Sequence, residues 1–372
     1  MNRIVLIGNG FDLAHNLKTR YEDFINWYWE QWKLRLLGSD KRVETDGLCS
    51  FKLKEGIDLH CWSLVWGHHY KRPNTQIPWI EHDIVGIALK DKDLCDFKYI
   101  GNFLPNICKC IKTKGWVDIE NEYYTLLTQQ TSPIVGIANT PKLDPKILNS
   151  QLDFLKILLI EYLKMEDKNE NETINSIKDK IYRPIKRREI AVANLNYSGN
   201  RESKDSTPNN IMLLNFNYTK TAHRYVNSNP KVLINHIHGY LDDANSVIFG
   251  YGDELDSNYE KLKNLNDNEC LRNMKSIRYL ETDNYRKMLE FTESGPFQVC
   301  IMGHSCGNSD RTLLNTLFEH RNCISIKPYY HLKEDGTDNY LELIQNISRN
   351  FTDMKLMRDK VVNKTYCEPL TK

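Results

Sequence analysis

The chain has no excess of charge of either sign. Its 372 residues hold 50 Lys and Arg against 49 Asp and Glu, so there is no global basic field to hold nucleic acid by releasing counterions. Only a local basic patch would leave that class open. Long apolar runs are missing as well. Nothing approaches the ~18 consecutive apolar residues of a membrane span, and the N-terminus has no charged stretch leading into an apolar leader segment. A cytoplasmic protein without membrane contact is the expectation. Disulfide spacing is also lacking: the ten cysteines are scattered, mostly inside apolar runs such as FQVCIMGHSCG and RNCISIK, which points to reduced, buried thiols. Cys108 and Cys110 form the one close pair, with a single residue between them and no second pair at the spacing of a structural zinc site. Internal repeats and low-complexity tracts are absent.

What is present is a set of short apolar, β-branched runs bounded by turn residues: RIVLIG, IMLLNFN, KVLINHI, SVIFG, FQVCIMG and NCISIK. Helical patterns separate several of them, as in an α/β fold with a mainly parallel sheet covered on both faces. Only the first run lies near the N-terminus, and the others follow residue 210. The expected organisation is therefore a core from 1–30 and 205–372, interrupted after the first strand by a mainly helical insertion over 31–204. Within it Tyr21, Phe24, Ile25, Tyr28, Trp29 and Trp32 recur at helical spacing. So do Trp116, Ile119, Tyr123 and Leu126, and then Leu152, Leu155, Leu159 and Tyr162. These faces are expected to pack into a core.

Four stretches could carry chemistry. Gly8-Asn9-Gly10 follows the first strand and opens a helix, where a backbone without Cβ atoms can approach a ligand and a helix N-terminus offers N–H groups to an anion. Asp12 stands at its mouth, as a helix cap or as an acceptor for a ribose hydroxyl. LLNFNYTKTA ends a strand with Asn215 and Asn217 on the same side of the pleat, at the sheet edge where open α/β folds bind ligands. INHIHGYL places His236 and His238 two apart, on one face of the expected strand, with Gly239 allowing a sharp exit. Two imidazoles at that spacing suggest a metal, but no third ligand accompanies them, and a single histidine acting as general base fits better. Finally, IMGHSCGNSD repeats the order strand, glycine, polar loop and helix, with Ser309 or Asp310 as helix cap. Gly303 and Ser305 make it a second phosphate or ribose cradle. The same residues also read as a nucleophile elbow around Ser305, but neither His320 nor His331, which follow it, has a convincing acid partner.

Taken together and in order, GNGFDLAHNLKTRYEDF, WVDIE, NFNYTKTA, HIHGYL and GHSCGNSD resemble the AbiH family of bacterial phage-defence proteins. Two residues depart from the pattern: Asn16 stands where glycine is expected and Lys18 where proline is. Asparagine tolerates the left-handed conformation that a glycine would supply. A deeper resemblance is to the sirtuin-like NAD-binding fold, a Rossmann-like parallel sheet. Gly8 to Asp12 match its first glycine turn and Asn16 to Thr19 the segment that follows. Asn217 matches the asparagine of its Q-N-I-D strand end, His238-Gly239 its catalytic H-G, and Gly303 to Ser305 its later G-T-S turn. Thr219 stands where the Q-N-I-D pattern has an acid, which bears on deacylation more than on NAD binding.

The resemblance implies an abortive-infection effector that hydrolyses NAD to nicotinamide and ADP-ribose, with NAD as substrate and no metal. Asn217 would orient the ribose or the attacking water and His238 would act as general base. Gly8, Asn9, Gly10, Asp12, Thr219, Gly303 and Ser305 would hold phosphates and riboses, with His236 in support. The expected partners are NAD or a related nucleotide, a phage or host protein as trigger, and a second copy of the chain. The rival readings are a nucleotide-sensing module without turnover and a nuclease effector. Against a metal nuclease, no carboxylates cluster beyond Asp118 and Glu120, two apart on a helix and so on different faces.

Overall fold

The run NRIVLI has apolar side chains at successive positions, so a strand made from it needs cover on both faces. In the computed structural model, which describes residues 1–38, 43–56, 95–115, 117–129, 144–168, 172–195, 205–226, 230–252 and 254–371, it forms β1 (Asn2–Ile7), buried along its whole length. Among the described residues seven further strands follow: β2 (Val43–Thr45), β3 (Cys49–Leu53), β4 (Cys95–Tyr99), β5 (Ile211–Asn215), β6 (Val232–His236), β7 (Phe297–Met302) and β8 (Cys323–Tyr329).

Five of them build a parallel sheet in the order β6-β5-β1-β7-β8. β1 lies at its centre, with Arg3 opposite Ile211 on one side and Asn2 opposite Phe297 on the other. The two-residue period of the pleat sorts the side chains. Ile4, Leu6, Val299 and Ile301 enter one core with Leu313, Leu314 and Leu317 of helix Arg311–Phe318 and Ile347 of helix Tyr340–Arg349. Val5, Ile7, Cys300 and Met302 enter the other with Phe11, Tyr225 and, from helix Asn175–Tyr182, Ile177 and Ile181. The sheet is thus helix-covered on both faces, an α/β fold. Its chain order reverses between β1 and β7, the topological switch point of a doubly wound sheet.

The run SVIFG is not a sixth strand. A short 3₁₀ turn, Ala244–Ser246, leads into it, and Val247, Ile248 and Phe249 are buried as loop. Ile248 N–H donates to the His238 carbonyl at 2.9 Å, and Gly239, at φ 81°, leaves room for the Ser246 carbonyl, which would lie 2.1 Å from a Cβ there. The run is apolar because it is buried, and its backbone is spent on this loop crossing.

The chain divides into two compact units, Met1–Thr19 with Leu163–Lys372, and Arg20–Tyr162. The second is not helical alone. β2, β3 and β4 form an antiparallel sheet that the helical spacing of its neighbours did not announce. Its aromatic faces are core: Phe24, Tyr28, Trp29 and Trp32 of helix Tyr21–Gly38 are at most 1% exposed, and Asp46 ties that helix down through Trp32 Nε1 at 2.6 Å and the Leu48 and Cys49 amides at 2.8 and 3.0 Å. Ile119, Tyr123, Leu126, Leu152, Leu155, Leu159 and Tyr162 are buried too. Trp116, the first residue of the WVDIE motif, lies outside the described residues, while Asp118 accepts from the Asn121 amide at 3.0 Å at the start of helix Ile119–Gln129. The nine described cysteines are free thiols, seven of them buried. Among the described residues no helix is long and apolar enough to cross a membrane.

Candidate functional site

At the switch point the two glycine turns meet each other. Gly10 N–H donates to the Gly303 carbonyl at 2.8 Å, and Gly303, at φ 76°, lies so close that a Cβ there would come within 2.1 Å of the Phe11 nitrogen. A Cβ on Gly8 would meet the His304 backbone at 2.6 Å. These glycines are therefore needed first for backbone packing between the turns after β1 and β7. The expected anion cradle is altered by this: Gly10 N–H is taken by Gly303, Phe11 N–H by the Gly8 carbonyl at 2.8 Å, and the helix they open, Asn9–Ala14, is only six residues long. Asn16, where glycine was expected, does adopt the left-handed conformation, with φ 61°. Asn9 and Ser305 are exposed at the rims of the two turns. The elbow reading of Ser305 does not hold, since the left-handed residue is its neighbour Cys306, at φ 56°.

On one side of these turns lies Asp12, 1% exposed. It does not cap its helix. Its Oδ2 accepts the Thr219 hydroxyl at 2.6 Å, and its Oδ1 has no hydrogen-bond partner. Thr219, standing where the resemblance expects an acid, thus presents its hydroxyl to an acid from the first motif. Burial pushes the Asp12 carboxyl up to about 6, opposed by Thr219, Thr221 and Asn217 and reinforced by the charge of Asp167. Asn215, fully buried, organises the turn above: its Oδ1 accepts from the Asn217 amide at 3.1 Å and its Nδ2 reaches the Thr219 carbonyl at 3.3 Å and His236 Nδ1 at 3.2 Å. Asn217, half-buried, donates to the Gly8 carbonyl at 3.0 Å, joining the turns after β1 and β5.

The two histidines of HIHGYL part company, because β6 ends at His236 and the chain turns before His238. His236 Nε2 pairs with His223 Nε2 at 2.7 Å, and burial, with the neighbouring His223, holds it down at about 4. His238 enters a different cluster: its Nε2 is 3.2 Å from the Tyr279 hydroxyl and 3.3 Å from Asp310 Oδ1. Asp310 also takes the Lys275 ammonium at 2.8 Å and lies 3.6 Å from His304 Nε2, with the Phe216 ring against both imidazoles. Burial works to raise the Asp310 carboxyl, but Lys275 and His238 outweigh it and hold it well below the carboxylate range. Burial and the Lys275 charge push His238 down, so its imidazole stays neutral. Among the described residues no group of three or more His, Cys, Asp or Glu is placed to hold a metal ion.

Sequence reasoning missed Lys275; Asp310, read together with Ser309 as a helix cap, does stand at the N-cap of helix Arg311–Phe318, but its carboxylate makes no capping hydrogen bond and serves the Lys275 and His238 cluster instead. Sequence reasoning also had no signal for Thr221, which lies 3.4 Å from Thr219. A buried lysine in an otherwise polar stretch looks like any solvated one, and Asp310 sits where a helix cap would.

Fold and site together define an open, doubly wound α/β protein whose buried polar groups gather at the carboxyl ends of its central strands, where this architecture holds ligands. The chain belongs to the bacteriophage abortive infection family AbiH, whose family model matches residues 4–331. That membership implies a role in abortive infection by phage. No curated protein and no solved structure matches the chain.

Proposed function

We propose that this AbiH protein is a phage-defence effector that hydrolyses NAD to nicotinamide and ADP-ribose. The observation that carries the reading is the orphaned Oδ1 of buried Asp12, near Asn217 where the turns after β1 and β5 are joined. A buried carboxylate oxygen without a donor is costly, and a ribose hydroxyl would satisfy it. NAD supplies the scissile bond: the C1′–N bond breaks with its electron pair going to the nicotinamide nitrogen, and water adds at C1′. Asn217, pinned by its Nδ2 to Gly8, keeps its side-chain oxygen for the ribose or the water. Asp12 and Thr219 hold the nicotinamide-side ribose, and Gly8, Gly10 and Gly303 act by interlocking the turns after β1 and β7 beside which the ligand lies. Asn9 and Ser305 are assigned to the phosphates and the adenosine-side ribose.

His238 takes the proton from water. Asp310, accepting from Nε2–H, leaves the lone pair on Nδ1, the arrangement of a base oriented by a neighbouring acid. His236 supports the site through Asn215. The burial of His238, 4% exposed, favours as second reading a nucleotide-binding module without turnover.

Incubating the purified protein with NAD, and separately with single-stranded nucleic acid and magnesium, separates these readings from a nuclease. His238→Ala should lower nicotinamide release by about 10² to 10⁴ and leave NAD binding within a few-fold. A folded His238→Ala protein that cleaves NAD at the wild-type rate refutes the assignment. NAD binding without nicotinamide release by the wild type selects the binding module.

A further inference from the structure

Two other buried acids of the parallel-sheet unit, Asp310 and Glu189, are matched with cations. Asp310 has the Lys275 ammonium at 2.8 Å and Glu189 has that of Lys327 at 2.5 Å. Asp12 differs, for among the described residues no Lys or Arg pairs with it. The groups facing it from the turn after β5 are the neutral Thr219, Thr221 and Asn217, and the charged group bearing on it, Asp167 just past helix Pro145–Glu166, has the same sign. One oxygen is held by Thr219 and the other makes no hydrogen bond.

An anion buried without a counter-charge is unfavourable by itself, and a ligand that brings a positive charge removes the penalty. A ribose hydroxyl would fill the open oxygen but leave the charge uncompensated. Building on the NAD reading above, we infer that Asp12 is the counter-charge for a cationic ligand ring and makes the site take oxidised nicotinamide dinucleotide, whose ring is a pyridinium, over the reduced form, whose ring is neutral. The same carboxylate then faces the positive charge that shifts onto the ribose as the C1′–N bond opens, where a fixed anion lowers the barrier. Asp12 is thereby a specificity residue, selecting for the one redox form whose glycosidic bond leads to a neutral leaving group.

The test compares a carbocyclic NAD analogue, which keeps the pyridinium and resists hydrolysis, with NADH, by calorimetry on the full chain at pH 8 and pH 5.5. Wild type should prefer the cationic analogue by about tenfold or more at pH 8, the range of a charge-assisted contact, and the preference should shrink at pH 5.5, where Asp12 is mostly protonated. Asp12→Asn, nearly the same shape, should show little preference at either pH. His236 and His223, both pushed down by burial, are titratable groups near this turn as well, and the variant separates Asp12 from them. A folded Asp12→Asn protein that keeps the wild-type preference, or a wild-type preference that does not change with pH, overturns the inference. Wild type that binds both ligands equally overturns it alone, and wild type that binds neither overturns the NAD reading with it.

Discussion

Replacing Asp12 with asparagine should make the protein more stable in neutral and alkaline solution. The carboxyl is 1% exposed and pushed up to about 6 from 3.8, a difference of roughly two units, or about 3 kcal/mol in the cost of ionising it in the fold. The sign follows from proton binding. Between pH 4 and 6 the folded chain keeps a proton that the unfolded chain has released, so stability falls as pH rises through that window, and the whole cost is present above it. The amide of the variant cannot ionise and does not carry this cost. At pH 4 the comparison is near even, because a protonated carboxyl and an amide both keep an oxygen for the Thr219 hydroxyl and both point a donor at the empty Oδ1 position. His236, held at about 4, works in the opposite direction, losing stability as pH falls below its unfolded value. It does so in both proteins and drops out of the difference. Thermal melts of wild type and Asp12→Asn from pH 4 to 8 should therefore diverge with rising pH, by on the order of 5 °C at pH 8. Parallel melting curves would refute the burial argument and, with it, the reason for treating Asp12 as functional.

Lys275→Met should destabilise the protein by about 3–5 kcal/mol in urea melts, because it leaves Asp310 charged and buried without its ammonium, and the added substitution Asp310→Leu should recover much of the loss. Gly303→Ala should cost about 3 kcal/mol or more, from its left-handed backbone and from the clash with the Phe11 nitrogen, and a variant that melts like wild type would contradict the interlocked turns. Asn217→Ala should cost only about 1 kcal/mol of stability for the lost bond to Gly8 while lowering nicotinamide release much further, as measured side by side in melts and in the NAD assay.

Much of the sheet was legible because its strands are short apolar runs, and a parallel strand buried on both faces has few other compositions. The run SVIFG shows the limit of that signal: burial makes a segment apolar whether or not its backbone joins a ladder. β3 and β4 were missed for the converse reason, since CSFKL and CDFKY mix charge into half-covered strands. At the site the glycine turns and strand-end asparagines were visible as types, but their partners were not. That Thr219 faces Asp12, that Asn215 reaches His236, and that His238 belongs with Lys275 and Asp310 depends on residues far apart in sequence whose meeting no local pattern encodes. The pair His236 and His238 was misjudged by extending a strand's two-residue period past the point where the strand ends.

The position of β1 at the centre of the sheet has a consequence for synthesis. Arg3 pairs with Ile211 and Asn2 with Phe297, so the central strand, buried along its whole length, emerges before its neighbours and waits longest for them. At ordinary elongation rates of ~5–20 residues per second, about 10 to 40 s pass before the first partner is made. Throughout that interval the sequence NRIVLI is an apolar segment whose two strand edges have no partner, while Arg20–Tyr162, the other compact unit of the chain, is being made. Maturation of the switch-point turns is thus tied to synthesis of the strands that flank β1: a chain cut short before residue 211 holds β1 and neither of its sheet partners.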